Sequence, residues 1–366
     1  MDKLDEKIKQ IEEELKRTER NKATEHHIGF LLAKLAKLKK EKEQREQRKA
    51  GSKVGFAIKK QGDATAFLIG FPSVGKSTLI NKLTGTKSKV AAYEFTTLEA
   101  IPGILKHRGF EIQLIDAPGI IKGASWGKGR GKEVISALRA ADLLIIVLEP
   151  DNIKEKLDII KEELYNAGIR INEKKPDIKI EKTDRGGINI TKKSSISISE
   201  EVIKKILMEF NYHNANITLN EDITVERLID AIAGNRFYVK AIFIVNKSDK
   251  LSNKQQEEIK KVIKEPLIFL SAERGTNIEE LKDKITENIG LIKIYTMDKF
   301  GKIDHERPLV LKENSTVADA CKKIHRDLLK NFNYAKIWGK SAKFNGQKVG
   351  LEHILMDGDV IFIKTK

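Results

Sequence analysis

Residues 67–78 leave a chain like this few ways to fold. Phe67, Leu68 and Ile69 close a short apolar strand, Gly70-Phe71-Pro72-Ser73-Val74-Gly75-Lys76-Ser77 interrupts it, and Thr78-Leu79-Ile80-Asn81-Lys82-Leu83 reads as a helix. The octapeptide fits G-x-x-x-x-G-K-[ST], the phosphate-binding loop, which needs a strand before it and a helix after it. Gly70 and Gly75 let the backbone turn tightly and aim its N–H groups at phosphate oxygens, helped by the positive end of the following helix. Lys76 is placed to reach the terminal phosphates, and the Ser77 hydroxyl to ligate Mg²⁺. The competing reading is a glycine turn that happens to carry a lysine, and the strand, loop and helix order argues against it. Such a loop by itself serves ATP as readily as GTP.

From Ala66 onward strands and helices alternate, the sign of a parallel sheet wrapped by helices in an α/β fold. A strand over Glu111–Ile115 runs into Asp116-Ala117-Pro118-Gly119. A carboxylate at the end of a strand beside a phosphate loop can hold Mg²⁺ through water, and Gly119 can bring a backbone N–H to the last phosphate. D-x-P-G alone is a common turn; its distance behind a phosphate loop gives it meaning. The apolar run Leu143–Leu148 is a buried strand, followed by an amphipathic helix from about Ile153 to Asn166. Ala241–Val245 feeds directly into Asn246-Lys247-Ser248-Asp249, and Leu267–Leu270 ends in Ser271-Ala272. Asp249 decides the base. Its carboxylate can accept from the N1–H and N2 amine of guanine, whereas adenine offers neither donor and would leave it unpaired. Asn246 and Lys247 are expected to brace the loops around the base, and the Ala272 N–H to donate to the guanine carbonyl.

The pieces GFPSVGKST, TT, DAPG, NKSD and SA stand in the order of a Ras-like GTP-binding domain. More narrowly, YEFTTLEAIPG, IDAPGIIKGASWGKGRGKE, GNRFYVKAIFIVNKSD and IHRDLLKNFNYAKIWGKSAKFNGQKVGLEHILMDGDV resemble the developmentally regulated GTP-binding proteins, a subfamily of the Obg-like GTPases, over nearly the full length. The resemblance implies a P-loop GTPase domain over residues 61–167 and 241–290, with a parallel sheet and helices on both faces. It further implies a basic helical, helix-turn-helix-like region over 1–60, an inserted domain similar to domain 2 of ribosomal protein S5 over 168–240, and a β-grasp TGS domain over 291–366.

Carried over position by position, the nucleotide set is Gly70, Phe71, Pro72, Ser73, Val74, Gly75, Lys76, Ser77, Thr78, Phe95, Thr96, Thr97, Asp116, Ala117, Pro118, Gly119, Asn246, Lys247, Asp249, Ser271 and Ala272. Mg²⁺ is expected on Ser77, on Thr97 (with Thr96 as fallback) and, through water, on Asp116. No catalytic residue can be assigned, because Ile120 stands where Ras-type GTPases carry the glutamine that orients water. Slow intrinsic hydrolysis is the consequence. The GTPases most clearly activated by potassium have asparagine at the position of Ser73, so K⁺ dependence stays open. Gly123–Gly131, with Gly127, Gly129 and Gly131 around Trp126, Lys128 and Arg130, reads either as a switch that orders around the γ-phosphate or as a flexible loop. Arg130 is a weak candidate for charge stabilisation.

The flanking segments are basic, and the formal charge of +16 favours a polyanionic partner. Leu4, Ile8, Ile11 and Leu15, then Ile28, Leu31, Leu32, Leu35 and Leu38, mark two amphipathic helices arranged as a hairpin. Lys37, Lys39, Lys40, Lys42, Arg45, Arg48 and Lys49 bias the second towards positive, as a solvated face or a nucleic-acid surface. The insert reads as strands at Ile178–Lys182, Ile188–Thr191 and near Ile217, with helices at Ser199–Phe210 and Val225–Ala233. A spacer and a binding surface are equally open for it.

In the tail, strands are expected at Ile292–Tyr295, Leu309–Leu311 and Val360–Ile363 and a helix at Val317–Leu329. Phe332, Tyr334 and Trp338 are expected in its core rather than stacked on bases. The single cysteine, Cys321, reads as a core residue in a reducing compartment, and no run is long enough for a membrane span. The expectation is a cytoplasmic GTPase switch acting on the ribosome or RNA, with a dedicated protein partner and neither DNA nor membrane. The alternative is an RNA-binding or ribosome-binding scaffold in which GTP is mainly structural.

Overall fold

Leu143–Leu148 carries no polar alternation, and such a run is stable only when covered on both faces. All six of its residues are buried in the interior of a parallel sheet. The structure is a computed structural model that describes residues 3–19, 24–50, 61–85, 102–117, 137–193 and 195–366. The described chain opens with α1 (Lys3–Arg17), α2 (Glu25–Ala50), β1 (Ala64–Ile69), α3 (Lys76–Thr84), β2 (Pro102–His107), β3 (Phe110–Asp116), β4 (Leu143–Leu148) and α4 (Ile153–Asn166). It continues through β5 (Ile169–Ile171), β6 (Ile178–Lys182), β7 (Ile188–Lys192), α5 (Glu200–Glu209), β8 (Ala215–Leu219), α6 (Val225–Ala233), β9 (Phe237–Val245), α7 (Asn253–Val262), β10 (Leu267–Phe269) and α8 (Ile278–Asn288). The last elements are β11 (Leu291–Met297), β12 (Ile303–Lys312), α9 (Val317–Ile324), α10 (Arg326–Lys330), β13 (Phe332–Trp338), β14 (Gln347–Val349) and β15 (Val360–Thr365). Contacts divide the chain into two units, Met1–Phe56 with Leu164–Val239, and Ala57–Glu163 with Lys240–Lys366.

In the first unit the antiparallel pair β6–β8 and the parallel pair β7–β8 make a small sheet. Ile203, Leu207, Ile217, Leu219 and Leu228 form its core, which Ala33 and Ala36 of α2 complete. Small residues let α2 come close: a Cβ on Gly29 would lie 3.3 Å from Val225. Four lysines of the basic stretch of α2 are engaged. Lys37 donates to the carbonyl of Glu209 at 2.5 Å and Lys40 to that of Ala233 at 2.7 Å, so both cap helix C-termini and oppose their dipoles. Lys39 pairs with Glu12 at 2.8 Å and Lys42 with Asp5, both on α1.

In the second unit the main sheet runs β10-β9-β4-β1-β3-β2, with only β2 antiparallel to its neighbour. Residues 291–366 form a second sheet, β12-β11-β15-β13-β14, over a core that includes Ile294, Ala320, Cys321, Ile337 and Ile361. Two expectations need correction. The helix expected over Val317–Leu329 breaks at His325, whose backbone is extended and whose Nδ1 accepts from the Asp327 N–H to start α10. Of the three aromatics, only Phe332 packs on the core. An irregular register between Phe332 and Tyr334 sends Tyr334 and Trp338 to the other face, where the Lys348 ammonium lies 4.8 Å from the Tyr334 ring.

The β2–β3 turn is held at several points. Asp283 of α8 accepts from His107 at 2.6 Å and Arg108 at 2.8 Å, and Lys293 of β11 donates to the Arg108 carbonyl and sits 4.6 Å from the Phe110 ring centroid. Among the described residues no helix is long and apolar enough to cross a membrane.

Candidate nucleotide site

The parallel strands β1, β3, β4, β9 and β10 deliver their C-terminal loops to one edge of the sheet, where open α/β sheets bind ligands. The loop after β1 must pass close under β4. A Cβ on Gly70 would stand 2.3 Å from the Val147 carbonyl oxygen, and one on Gly75, at φ 89°, would stand 2.4 Å from Asn246 Nδ2. Only glycine fits either place. Phe71 and Val74 are buried and anchor the loop, while Pro72, Ser73, Ser77 and Thr78 are exposed. Lys76 is 9% exposed and donates to the carbonyls of Gly70 at 3.0 Å and Phe71 at 3.1 Å. Burial pushes its ammonium below the usual lysine range, and the nearby Asp116 carboxylate opposes that shift. A charge so placed is set to meet phosphate.

Asp116 ends β3 beside that lysine, is 8% exposed, and accepts from the Ser77 hydroxyl at 2.9 Å on Oδ2. Its other oxygen, Oδ1, is buried with no hydrogen-bond partner among the described residues. A buried carboxylate oxygen without a donor needs one. A metal-bound water would supply it, so Ser77 and Asp116 are the residues that would hold a Mg²⁺, the hydroxyl directly and the carboxylate through its hydration shell. Bound there, the cation would offset the charge of the terminal phosphates.

The base-reading side is tied to the phosphate loop by Asn246, 3% exposed, which donates through Nδ2 to the Val74 carbonyl at 2.8 Å. Its Oδ1 accepts the Ala272 N–H at 3.0 Å, so the donor expected to serve the guanine carbonyl serves Asn246 here. Lys247 donates to the Ser73 carbonyl at 2.9 Å and to Glu149 at 3.1 Å. The buried Ser271 hydroxyl donates to Asp249 and holds that carboxylate below its ordinary range, with Arg274 at 3.5 Å adding to the effect. Asp249 is therefore ionised and acceptor-only at neutral pH, as guanine recognition requires.

Two participants carry no motif in the sequence. Glu149 lies just past the end of β4 and Lys156 on α4, and they pair at 2.7 Å. Only the three-dimensional arrangement makes them part of the site. Phe95, Thr96, Thr97, Pro118, Gly119, Ile120 and the Gly123–Gly131 run with Arg130 lie outside the described residues.

Known proteins resemble this chain over nearly its full length. The family model described as a 50S ribosome-binding GTPase matches residues 65–183, the model for the C-terminal region of that domain matches 185–291, and the TGS domain model matches 292–365. An uncharacterized GTP-binding protein of Methanocaldococcus jannaschii is 49% identical over 99% of this chain and 93% of its own length. Developmentally-regulated GTP-binding protein 1 of Xenopus laevis is 45% identical over 98% of both. The YchF GTPase structure of Schizosaccharomyces pombe is 17% identical, covers 84% of this chain and 99% of its own, and has a TM-score of 0.46. The fold is thus α/β, with a P-loop GTPase domain and a TGS domain, and the activity is GTP hydrolysis. The chain belongs to the developmentally regulated GTP-binding proteins of the Obg-like GTPase family.

Proposed function

We propose that this GTPase is a Mg²⁺-dependent switch with slow intrinsic hydrolysis, whose GTP state docks on the ribosome or on RNA in the cytoplasm, and which works with a protein partner. The observation that carries the switch is Asp116. Its Oδ1, unpartnered among the described residues, and its bond to Ser77 lie at the end of β3, from which the chain passes through the rest of the D-x-P-G segment to Ile120. A strand that ends on the metal site can pass the state of the γ-phosphate to the segment beyond it. Slow turnover is supported by Ile120, which cannot hydrogen-bond a water. The ribosomal reading is supported by the 50S ribosome-binding description of the matching family model and by the charge of +16. The cytoplasmic reading is supported by Cys321, a free and buried thiol.

The test is co-sedimentation with ribosomes at rising salt, comparing a non-hydrolysable GTP analogue with GDP. Retention stronger with the analogue and lost at high salt is the expected result. Equal retention with both nucleotides would leave a scaffold in which GTP is structural, and RNA binding that survived Asp249→Asn would favour that second reading.

A further inference from the structure

Glu149 sits where three parts of the site meet. Its side chain is 19% exposed, and each carboxylate oxygen takes a different ammonium: Oε1 that of Lys156 at 2.7 Å, Oε2 that of Lys247 at 3.1 Å. Lys247 spends a further donor on the Ser73 carbonyl at 2.9 Å. Lys156 also lies 5.9 Å from the Phe71 ring centroid. One carboxylate thereby ties the first turn of α4, the Asn246–Asp249 loop and the phosphate loop together.

The backbone shows why this tie matters. Ser73 and Lys247 are both left-handed without being glycine, at φ 64° and 59°. Residues persist there only where their surroundings over-determine them. The Lys247 ammonium joins these two residues directly, so its place governs both. Without Glu149, two half-buried lysines would face each other as like charges, and each would gain by turning to water. Burial works against a charge on Glu149, yet the hydrogen bonds from the two lysines more than offset it and hold the carboxyl below its ordinary range.

We propose that Glu149 is a positioning residue for guanine-nucleotide binding: it clamps Lys247 onto the Ser73 carbonyl and so fixes the spacing between the base-reading loop and the phosphate loop. The inference rests on the nucleotide lying between those two loops, as the candidate site has it. Because the clamp's bonds run among Glu149, Lys156, Lys247 and the Ser73 carbonyl and not to Lys76, Ser77 or Asp116, it acts on how long the nucleotide is held. The chemical step should be left alone.

The experiment is release of a fluorescent GDP analogue from the full chain, in the unmodified protein, Glu149→Gln, Glu149→Asp, Lys247→Ala and the Glu149→Gln/Lys247→Ala pair. Glu149→Gln should release GDP about tenfold faster and raise KM for GTP by a similar factor, with kcat at saturating GTP within about twofold. Glu149→Asp, which keeps the charge, should recover part of the loss. In the Lys247→Ala background Glu149→Gln should add less than about twofold, because the group it acts through is gone. Unchanged release in Glu149→Gln would overturn the proposal. So would an equal factor in both backgrounds, which would make Glu149 a support of the fold alone. If Glu149→Gln does not fold, Glu149→Asp with and without Lys247→Ala gives the same comparison. Failure of the unmodified chain to bind the analogue at all would instead strike at the nucleotide site itself.

Discussion

Lys76 shows a residue whose task opposes the fold. Its ammonium is buried against backbone carbonyls and a single carboxylate, and burial disfavours its charge. Replacing it with methionine, of similar length, should leave the nucleotide-free protein as stable or raise its melting point, by ~2–4 °C for each kcal/mol recovered. The same change should abolish the stabilisation by GDP, about 2.7 kcal/mol at a hundredfold excess over Kd. Differential scanning with and without GDP checks both halves, and a strongly destabilised free protein would contradict the account. Lys76, Ser77, Asp116 and Asp249 are legible in the sequence because each stands at a fixed offset from its own strand. Glu149 is not, since its partners Lys156 and Lys247 come from separate elements and no local spacing links them. Ala272 is legible as part of the site but not in its bonding, which depends on where Asn246 points.

At the scale of elements, the signals that work are apolar runs and caps. Leu143–Leu148 and Val225–Ala233 appear in the structure with the bounds read from the sequence. The strand Pro102–His107 has no such signal, because its proline and glycine disguise it. Gly103 is there for packing, since a Cβ would stand 2.5 Å from Thr84 of α3, and an edge strand tolerates the proline. The break at His325 is hidden because the apolar spacing continues through Leu328 and Leu329, both packed on the core.

Two predictions belong to elements. Asp319 accepts from the Thr316 N–H and hydroxyl, both at 3.0 Å, and these bonds hold its carboxyl below the ordinary value of 3.8. Its contribution is complete above that ordinary value and disappears as pH falls through the lower folded one. Asp319→Asn, which keeps an acceptor oxygen but loses the charge, should thus destabilise the protein at pH 7, and progressively less below about pH 3.8. Thermal unfolding of both proteins across that range reads the difference, and a pH-independent gap would contradict it. In the first unit, Ile203→Ala removes a fully buried side chain from the core under α2 and should cost about 2–5 kcal/mol, measured by urea unfolding. A loss well under ~1 kcal/mol would mean that this core is not packed as described.

For the whole molecule, the alternation of strands and helices makes the GTPase fold legible, and the motif order narrows it further. Less legible is how the charge is used: the +16 balance suggests a positive helical face, yet Lys37, Lys39, Lys40 and Lys42 are spent on helix ends and acidic partners. Charge counts do not reveal pairing. With Ile120 at the glutamine position, the isolated protein should hydrolyse GTP on the order of 10⁻³ per second, the range of unassisted GTPases. A single-turnover assay yielding many events per second would refute that.

The central claim is that one carboxylate, Asp249, hydrogen-bonded by Ser271, selects the guanine base for a phosphate loop that could accept any nucleotide. Nucleotide competition on the unmodified chain and on Asp249→Asn tests it most directly. The account predicts that GTP and GDP displace a fluorescent GDP analogue while ATP and XTP do not. It also predicts that Asp249→Asn weakens guanine binding by about 10²-fold or more while xanthine nucleotides gain, because the asparagine amide can donate where the carboxylate could only accept. Unchanged GTP affinity in Asp249→Asn, or ATP competing as well as GTP for the unmodified protein, would contradict it.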